Sequence, residues 1–304
     1  MLSLIFIIIS AIFIPGVIAK IKSKIGGRRM PSVFQPLFDI IRLFKKGAIY
    51  SPTTSIIFKI APIIYFSSVL MAAFFVPMAG QQGLLSFDVD FVFFAYLLAL
   101  GKFMMIISAM DTGSGFEGMG ANREALYSML VEPAFFVLVG TLALFTQNSS
   151  FQDLYVNLHT STQLSIIIGI AALYVITYIS MVENSRMPID DPKTHLELTM
   201  VHEVMILDNS GFDLAIIHIA SWLKFAIYGT IISNFVVQSS WPIYIQIVSY
   251  LLIQMGYAST VGILESFSAR NKMGKNPQWI IMLSAIAVVT FLTTLIITQK
   301  IILN

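Results

Sequence analysis

Lys102, Glu132, His218, Lys224 and Glu265 fall in or at the edge of stretches otherwise too apolar to hold them. An ionisable group inside a membrane span costs about 2.5–3.5 kcal/mol on insertion scales, so its default reading is functional. Lys102 and Lys224 are too central in their stretches to snorkel easily to an interface. Carboxylates and amines of this kind suit proton relay, because burial raises a carboxyl pKa towards working pH and a nearby Lys lowers it again. The bland reading is a buried Lys–Glu pair that only fixes helix packing. A second concentration lies in 183–213, where Glu183, Arg186, Asp190, Asp191, His195, Glu197, His202, Glu203, Asp208 and Asp213 are interleaved with Met187, Ile189, Leu196, Leu198, Met200 and Val201. A solvated loop explains the charge but not the apolar residues. The mixture predicts charged groups held against a protein or membrane interior.

His195 and His202 are seven apart and share a helical face. With Glu197 and Glu203 they leave a two-His, two-carboxylate metal site open, although His202-Glu203 is followed by Val204, Met205 and Ile206 and no HExxH is formed. Gly113-Ser-Gly115-Phe-Glu-Gly118 matches G-x-G-x-x-G in form only, since it follows an apolar span and no βαβ unit surrounds it. No P-loop or nucleophile triad is present. Cysteine is absent, so this chain alone holds no disulfide, no Cys-ligated zinc and no iron–sulfur cluster.

Composition sets the elements that must position these groups. Of 304 residues 57% are hydrophobic and 11% charged, with a mean hydropathy of +0.84 and a net charge of +2. Soluble domains carry about 25% charge, so a cytosolic enzyme, a nucleic-acid binder and a disordered chain are excluded. An all-α polytopic membrane protein is expected. Eight stretches reach the roughly 20 apolar residues a span requires: 2–19, 56–79, 91–110, 125–145, 164–182, 214–237, 241–264 and 279–298. The first lacks a basic n-region and a small-residue cleavage site, and is expected to be a retained span.

The odd-numbered connections carry 14 of the 18 Lys and Arg residues, including Lys20, Lys22, Lys24, Arg28, Arg29, Arg42, Lys45, Lys46, Arg123 and Arg186, and the even ones carry none. The positive-inside rule then makes the odd connections cytoplasmic and leaves both termini outside. The even connections look like plain links. Within the first connection, 32–46 has helical apolar spacing, with Gln35, Asp39, Arg42, Lys45 and Lys46 on the remainder. This predicts an amphipathic helix at the interface, either a membrane-surface anchor or a docking surface for a soluble partner.

Three of these stretches resemble the complex I subunit 1 family, also called the respiratory-chain subunit 1 or formate hydrogenlyase subunit 4 family. They are Gly27-Arg28-Arg29-Met30-Pro31 with Gln35, Asp39 and Lys45-Lys46-Gly47; Ser108 to Phe116 with Gly120-Ala-Asn-Arg123-Glu124 and Glu132-Pro133; and Glu183-Asn-Ser-Arg186-Met-Pro188-Ile-Asp190 with Ser210-Gly211. The second is closest to the branch holding the membrane anchors of hydrogenase-4-type, energy-converting hydrogenase complexes. Met30 stands where the family usually has Gly, Lys193 and His195 where it tends to carry acids, and Asp208 where a Glu is common.

The resemblance implies one transmembrane domain over 1–304 in a bacterial or archaeal cytoplasmic membrane, with no catalytic residue and no metal of its own. It implies as partners the lipid bilayer, antiporter-like membrane subunits, and a peripheral arm made of a NiFe-hydrogenase-like or quinone-reductase-like large subunit and an iron–sulfur small subunit. Cofactors then belong to those partners as iron–sulfur clusters, with or without a NiFe centre, and quinone binding is compatible. The expected role is to anchor the redox arm and couple electron transfer to proton or sodium translocation. Glu124, Glu132, Glu183, Asp190, Asp191, Glu197, Glu203 and Asp208 would form a carboxylate path with Lys102, Lys224 and Glu265 as relays. Arg28, Arg29, Asp39, Arg123 and Arg186 would dock, make salt bridges or line a quinone chamber, since Arg does not deprotonate. Three alternatives remain: a quinone-binding subunit, a purely structural anchor, and an independent transporter, for which the sequence lacks an internal repeat.

Overall fold

The computed structural model describes residues 2–78, 81, 83–158, 163–190 and 200–298. Eight long helices are long and apolar enough to cross a membrane: α1 (Leu2–Ile25), α3 (Ile56–Phe75), α4 (Asp90–Asp111), α5 (Gly115–Thr146), α7 (Gln163–Glu183), α9 (Gly211–Asn234), α10 (Ile243–Phe267) and α11 (Asn276–Ile297). Among the described residues three short α-helices lie between them, α2 (Gln35–Phe44), α6 (Phe151–Leu158) and α8 (His202–Met205), with one 3-10 turn at Met273–Lys275. The protein is an all-helical, multi-pass membrane protein with the expected eight spans and the expected amphipathic helix between the first two.

Helix α9 forms the centre, packed by α1, α3, α7 and α10, with α2 against its N-terminal end. Helix α5 packs against α4, α7 and α11. Three glycines leave the room this packing needs. A Cβ on Gly101 would fall 2.3 Å from Ser68 Oγ between α4 and α3, and one on Gly229 would fall 2.2 Å from Gln254 Oε1 between α9 and α10. Gly211, at φ +51, lies so close to the 46–47 backbone that a Cβ would sit 2.5 Å from the Gly47 carbonyl.

The odd connections meet at one end of the bundle. Ser55 N–H donates to Asp111, Ile49 N–H to Ser210, and Asn271 N–H to the Pro188 carbonyl. The even connections meet at the other, where Val89 N–H donates to the Ser149 carbonyl and Asn234 Nδ2 to the Pro77 carbonyl.

Three expectations need correction. Helix α5 begins at Gly115, ten residues before the expected 125, so Arg123 and Glu124 are helical. Gly115, Gly118 and Gly120 suggest a loop, yet Gly120 is there because another backbone lies against it: a Cβ would come 2.8 Å from the Val201 carbonyl. The fourth connection is not a plain link. It contains α6, whose first N–H, at Phe151, donates to the buried Asp90 carboxylate (2.8 Å), satisfying a donor that a helix start leaves open. The first span also continues to Ile25, so Lys20, Lys22 and Lys24 extend α1.

Candidate functional site: a buried charge chain under the fifth connection

Helix α7 stops early. Its last residue, Glu183, lies beside Lys102, which sits nine residues inside α4, about 14 Å from that helix's end at 1.5 Å per residue. The chain after Glu183 therefore drops into a recess in the bundle. Irregular backbone at membrane depth is tolerated only when protein surrounds it, and the flanks of the fifth connection are tied down accordingly. Asp190, 1% exposed, accepts from Val201 N–H (3.2 Å) and His202 N–H (3.1 Å) and pairs with Arg270 (2.5 Å). Arg123 donates to the Met200 carbonyl (2.9 Å), and Asp208 N–H donates to Glu117 (3.0 Å). Asn276 Nδ2 donates to the Ile189 carbonyl (3.2 Å).

The early stop brings four charges from four helices into one chain. Lys102 Nζ lies 2.7 Å from Glu183 Oε1 and 3.2 Å from Glu124 Oε1, and Lys224 Nζ lies 3.6 Å from Glu183 Oε2. Lys224 also donates to the Glu183 carbonyl, placing a cation on the negative C-terminal end of α7. All four are 8% exposed or less, and the set is formally neutral. Charge balance makes such a group tolerable where a lone ion is not.

Around the chain lie small cavities. One of about 10 Å³, room for a single water, is lined by Lys102, Glu124, Lys224, Tyr65 and His202. A second, of about 70 Å³, lies between Ile14 and Pro15 of α1 and Arg186, His202, Glu203 and His218. His202 borders both. Burial and the nearby Lys224, His218, Lys102 and Arg186 push its pKa down to about 3, so it is neutral at pH 7. Burial, together with Asp190 and against the opposing effect of Arg186, pushes Glu203 up to about 7. On the other side of Lys102, a cavity of about 70 Å³ is lined by Lys102, Glu183 and Glu132. Glu132 itself is exposed and also lines an open groove of about 490 Å³ between α4 and α5. The arrangement provides a carboxyl that titrates near neutrality, a neutral imidazole, a buried charge chain with room for waters, and a carboxylate on the flank of the bundle.

Glu124, Glu183, Lys102 and Lys224 are thus brought together, with Glu203 at one side and Glu132 at the other. Glu265 is set apart: Lys22 (2.9 Å) and Arg186 (3.3 Å) hold it. Arg186 also stacks 5.4 Å from the Phe225 ring. Asp208 is exposed and contributes its backbone N–H, while Asp39 is exposed and pairs locally with Gln35 and Arg42. Arg28 and Arg29 are exposed and line none of these cavities. Asp191 and Glu197, with Lys193 and His195, lie outside the described residues. So do two of the four groups of the possible metal site, and among the described residues no cluster of three or more His, Asp or Glu forms one. Sequence reasoning missed Glu117, whose only signal was a carboxylate embedded in the glycine-rich run.

Glu203 gives a test by pH. Its folded pKa lies above the ordinary carboxyl value of about 4.3, so between that value and about 7 the folded protein holds a proton the unfolded chain does not. Stability should fall as pH rises through this window. The Glu203→Gln variant should flatten that slope in thermal unfolding between pH 5 and 8. An unchanged slope would show that the Glu203 carboxyl titrates normally.

Comparison with known proteins follows the same outline. The family model described as NADH dehydrogenase matches residues 1–300. Hydrogenase-4 component C of Escherichia coli (strain K12) is 29% identical over 68% of this chain and 64% of its own length. Formate hydrogenlyase subunit 4 of the same strain is 27% identical over 60% of each, and NADH-ubiquinone oxidoreductase chain 1 of Chondrus crispus is 24% identical over 61% of this chain and 58% of its own. The chain spans less than two thirds of the length of these curated relatives. In fold it is similar to a chain from the structure of the membrane-bound sulfane sulfur reductase (MBS), an archaeal respiratory membrane complex, with a TM-score of 0.80, 16% identity, and coverage of 95% of this chain and 97% of that one. With eight spans gathered around a buried charge chain and a family match running almost end to end, this chain belongs to the NADH dehydrogenase family, whose members include membrane subunits of complex I-like and hydrogenase-type complexes.

Proposed function

We propose that this chain anchors a peripheral redox arm to the membrane and couples electron transfer to ion movement through Glu203, His202 and the Glu124–Lys102–Glu183–Lys224 chain, with Glu132 as the lateral outlet. One observation carries the reading. The buried charge chain starts under the fifth connection, at the end where the odd connections meet, and reaches a carboxylate exposed on the bundle flank. A structural ion pair needs neither end to be accessible. A change of charge above the fifth connection would shift the protonation of Glu203, and the neutral chain would rearrange its two lysines between Glu124, Glu183 and the adjacent Glu132. The basic odd connections support a cytoplasmic position for that end. Exposing Glu132 to lipid would be expensive, which supports a neighbouring membrane subunit, of the antiporter-like kind the family implies, on the α4–α5 face. The redox centres, iron–sulfur clusters with or without a NiFe site, then belong to the partners.

Quinone binding has less support. Arg186 borders a cavity of about 70 Å³, far below the 300–1,000 Å³ of ordinary ligand pockets, and Arg28 and Arg29 stand away from it. The test is Glu132→Gln in the assembled complex in sealed vesicles. Redox turnover should persist while ions moved per electron fall at least tenfold. Undiminished pumping with intact assembly would overturn the coupling role.

A further inference from the structure

The first connection turns back along α1 instead of leaving the bundle. Val33 is so close to Gly16 that a Cβ there would fall 1.9 Å from the Val33 carbonyl oxygen, and the Phe34 ring packs on Phe13 at 5.4 Å. The start of α2 is therefore level with residues 13–16 of α1. Lys20, the first cation of α1, lies four to seven residues further along, about 6–10 Å at 1.5 Å per residue. Interfacial helices bury their apolar faces by about 5–10 Å into the headgroup and acyl boundary. The depth of the start of α2 relative to the first charges of α1 is that of such a helix.

The faces of α2 agree. At about 100° per residue, Phe34, Phe38, Ile41 and Phe44 form one stripe, and all four are exposed. Gln35, Asp39, Arg42 and Lys46 form a second, polar arc beside it. Ile40, 4% exposed, marks the third side, which packs towards α1 and α9. Phe44 meets Phe212 of α9 at 5.6 Å, and Ile49 N–H donates to Ser210 (3.1 Å), so the far end is pinned as well. Cations stand at both ends: Arg28 and Arg29 before the helix, Lys45 and Lys46 after it, all exposed. Among the described residues no acidic side chain pairs with these four; Asp39, the one acid on α2, is held by Gln35 and Arg42.

From this placement we infer that α2 is a lipid-binding element of this protein, its exposed aromatic stripe inserted among acyl chains and its flanking cations holding the headgroups of anionic phospholipid. A soluble partner reaching the stripe would have to enter the membrane boundary to do so, whereas α1 continues nine residues beyond Gly16, to Ile25. The occupant is thus the bilayer itself, and the cations select its charge. Each Lys or Arg near an anionic surface strengthens attraction about fivefold.

The experiment has two arms, both on the assembled complex. A photo-crosslinking amino acid at Ile41 or Phe38 in native membranes should give phospholipid adducts by mass spectrometry. Adducts to another protein subunit would overturn the inference. In the second arm the complex is reconstituted in nanodiscs of phosphatidylcholine with an equal part of phosphatidylglycerol, and the lipid retained on detergent extraction is measured. The Lys45→Gln/Lys46→Gln variant should lose the enrichment in phosphatidylglycerol by more than tenfold. Enrichment equal to that of the unaltered chain would remove the headgroup site.

Discussion

Replacing Lys102 with Met should lower stability by about 3–5 kcal/mol, the range seen when one member of a buried ion pair is removed and its partners stay charged. Lys102 touches two carboxylates, Glu183 at 2.7 Å and Glu124 at 3.2 Å. Glu183 keeps Lys224 at 3.6 Å, but Glu124 loses its one ion pair among the described residues. The double variant Lys102→Met/Glu124→Gln should therefore recover much of the loss, because the neutral pair leaves no orphaned charge. Thermal unfolding of the purified complex measures the energies as a double-mutant cycle. Strict additivity of the two substitutions would show that the charges act independently. On the proposed role, both variants should also uncouple redox turnover from ion movement, since the bridge between Glu124 and Glu183 is gone in each.

Replacing Asp190 with Asn should have the second largest effect, about 2–5 kcal/mol of destabilisation, from weakening the hydrogen bonds and the Arg270 ion pair of a buried carboxylate. Asp190 holds Val201 N–H, His202 N–H and Arg270 at once. Its loss frees the segment that carries His202 and Glu203, so amide exchange at 201–206 should accelerate before that of α9 or α10 does. Exchange that stays slow in this segment would show that Arg123 and Glu117, through Met200 and Asp208, suffice to hold it. Because Asp190 itself lines none of the cavities described above, this variant separates positioning of the site from its chemistry: redox turnover should survive while coupling falls.

The spans were legible because a bilayer requires about 20 apolar residues in a row, which composition along the chain reports directly. Their bounds hold within a few residues except where packing overrides local pattern. Residues 115–124 look like a glycine loop, but they are helical because the 201–205 backbone needs a surface without side chains at Gly120. In the fourth connection, nothing local announces that Asp90, 61 residues upstream, caps the helix that starts at Phe151. The candidate charges were visible for the same reason as the spans: Lys102, Glu132 and Lys224 stand out against apolar neighbours.

What the sequence by itself determined is therefore the kind of protein: an eight-span helical membrane protein, its basic connections on one face, a few ionisable groups inside its spans, and no cysteine to hold a cluster. Hydropathy and charge are properties of each segment alone, and lipid reads them segment by segment. Which charges meet is a property of depth and rotation, which helices acquire only by packing on one another. The tertiary structure alone decided that α7 ends early enough for Glu183 to lie between Lys102 and Lys224, that Glu265 belongs instead to Lys22 and Arg186, and that α2 turns back to the level of Gly16. Each of those outcomes depends on contacts between residues tens to hundreds of positions apart, where no spacing rule along the chain applies.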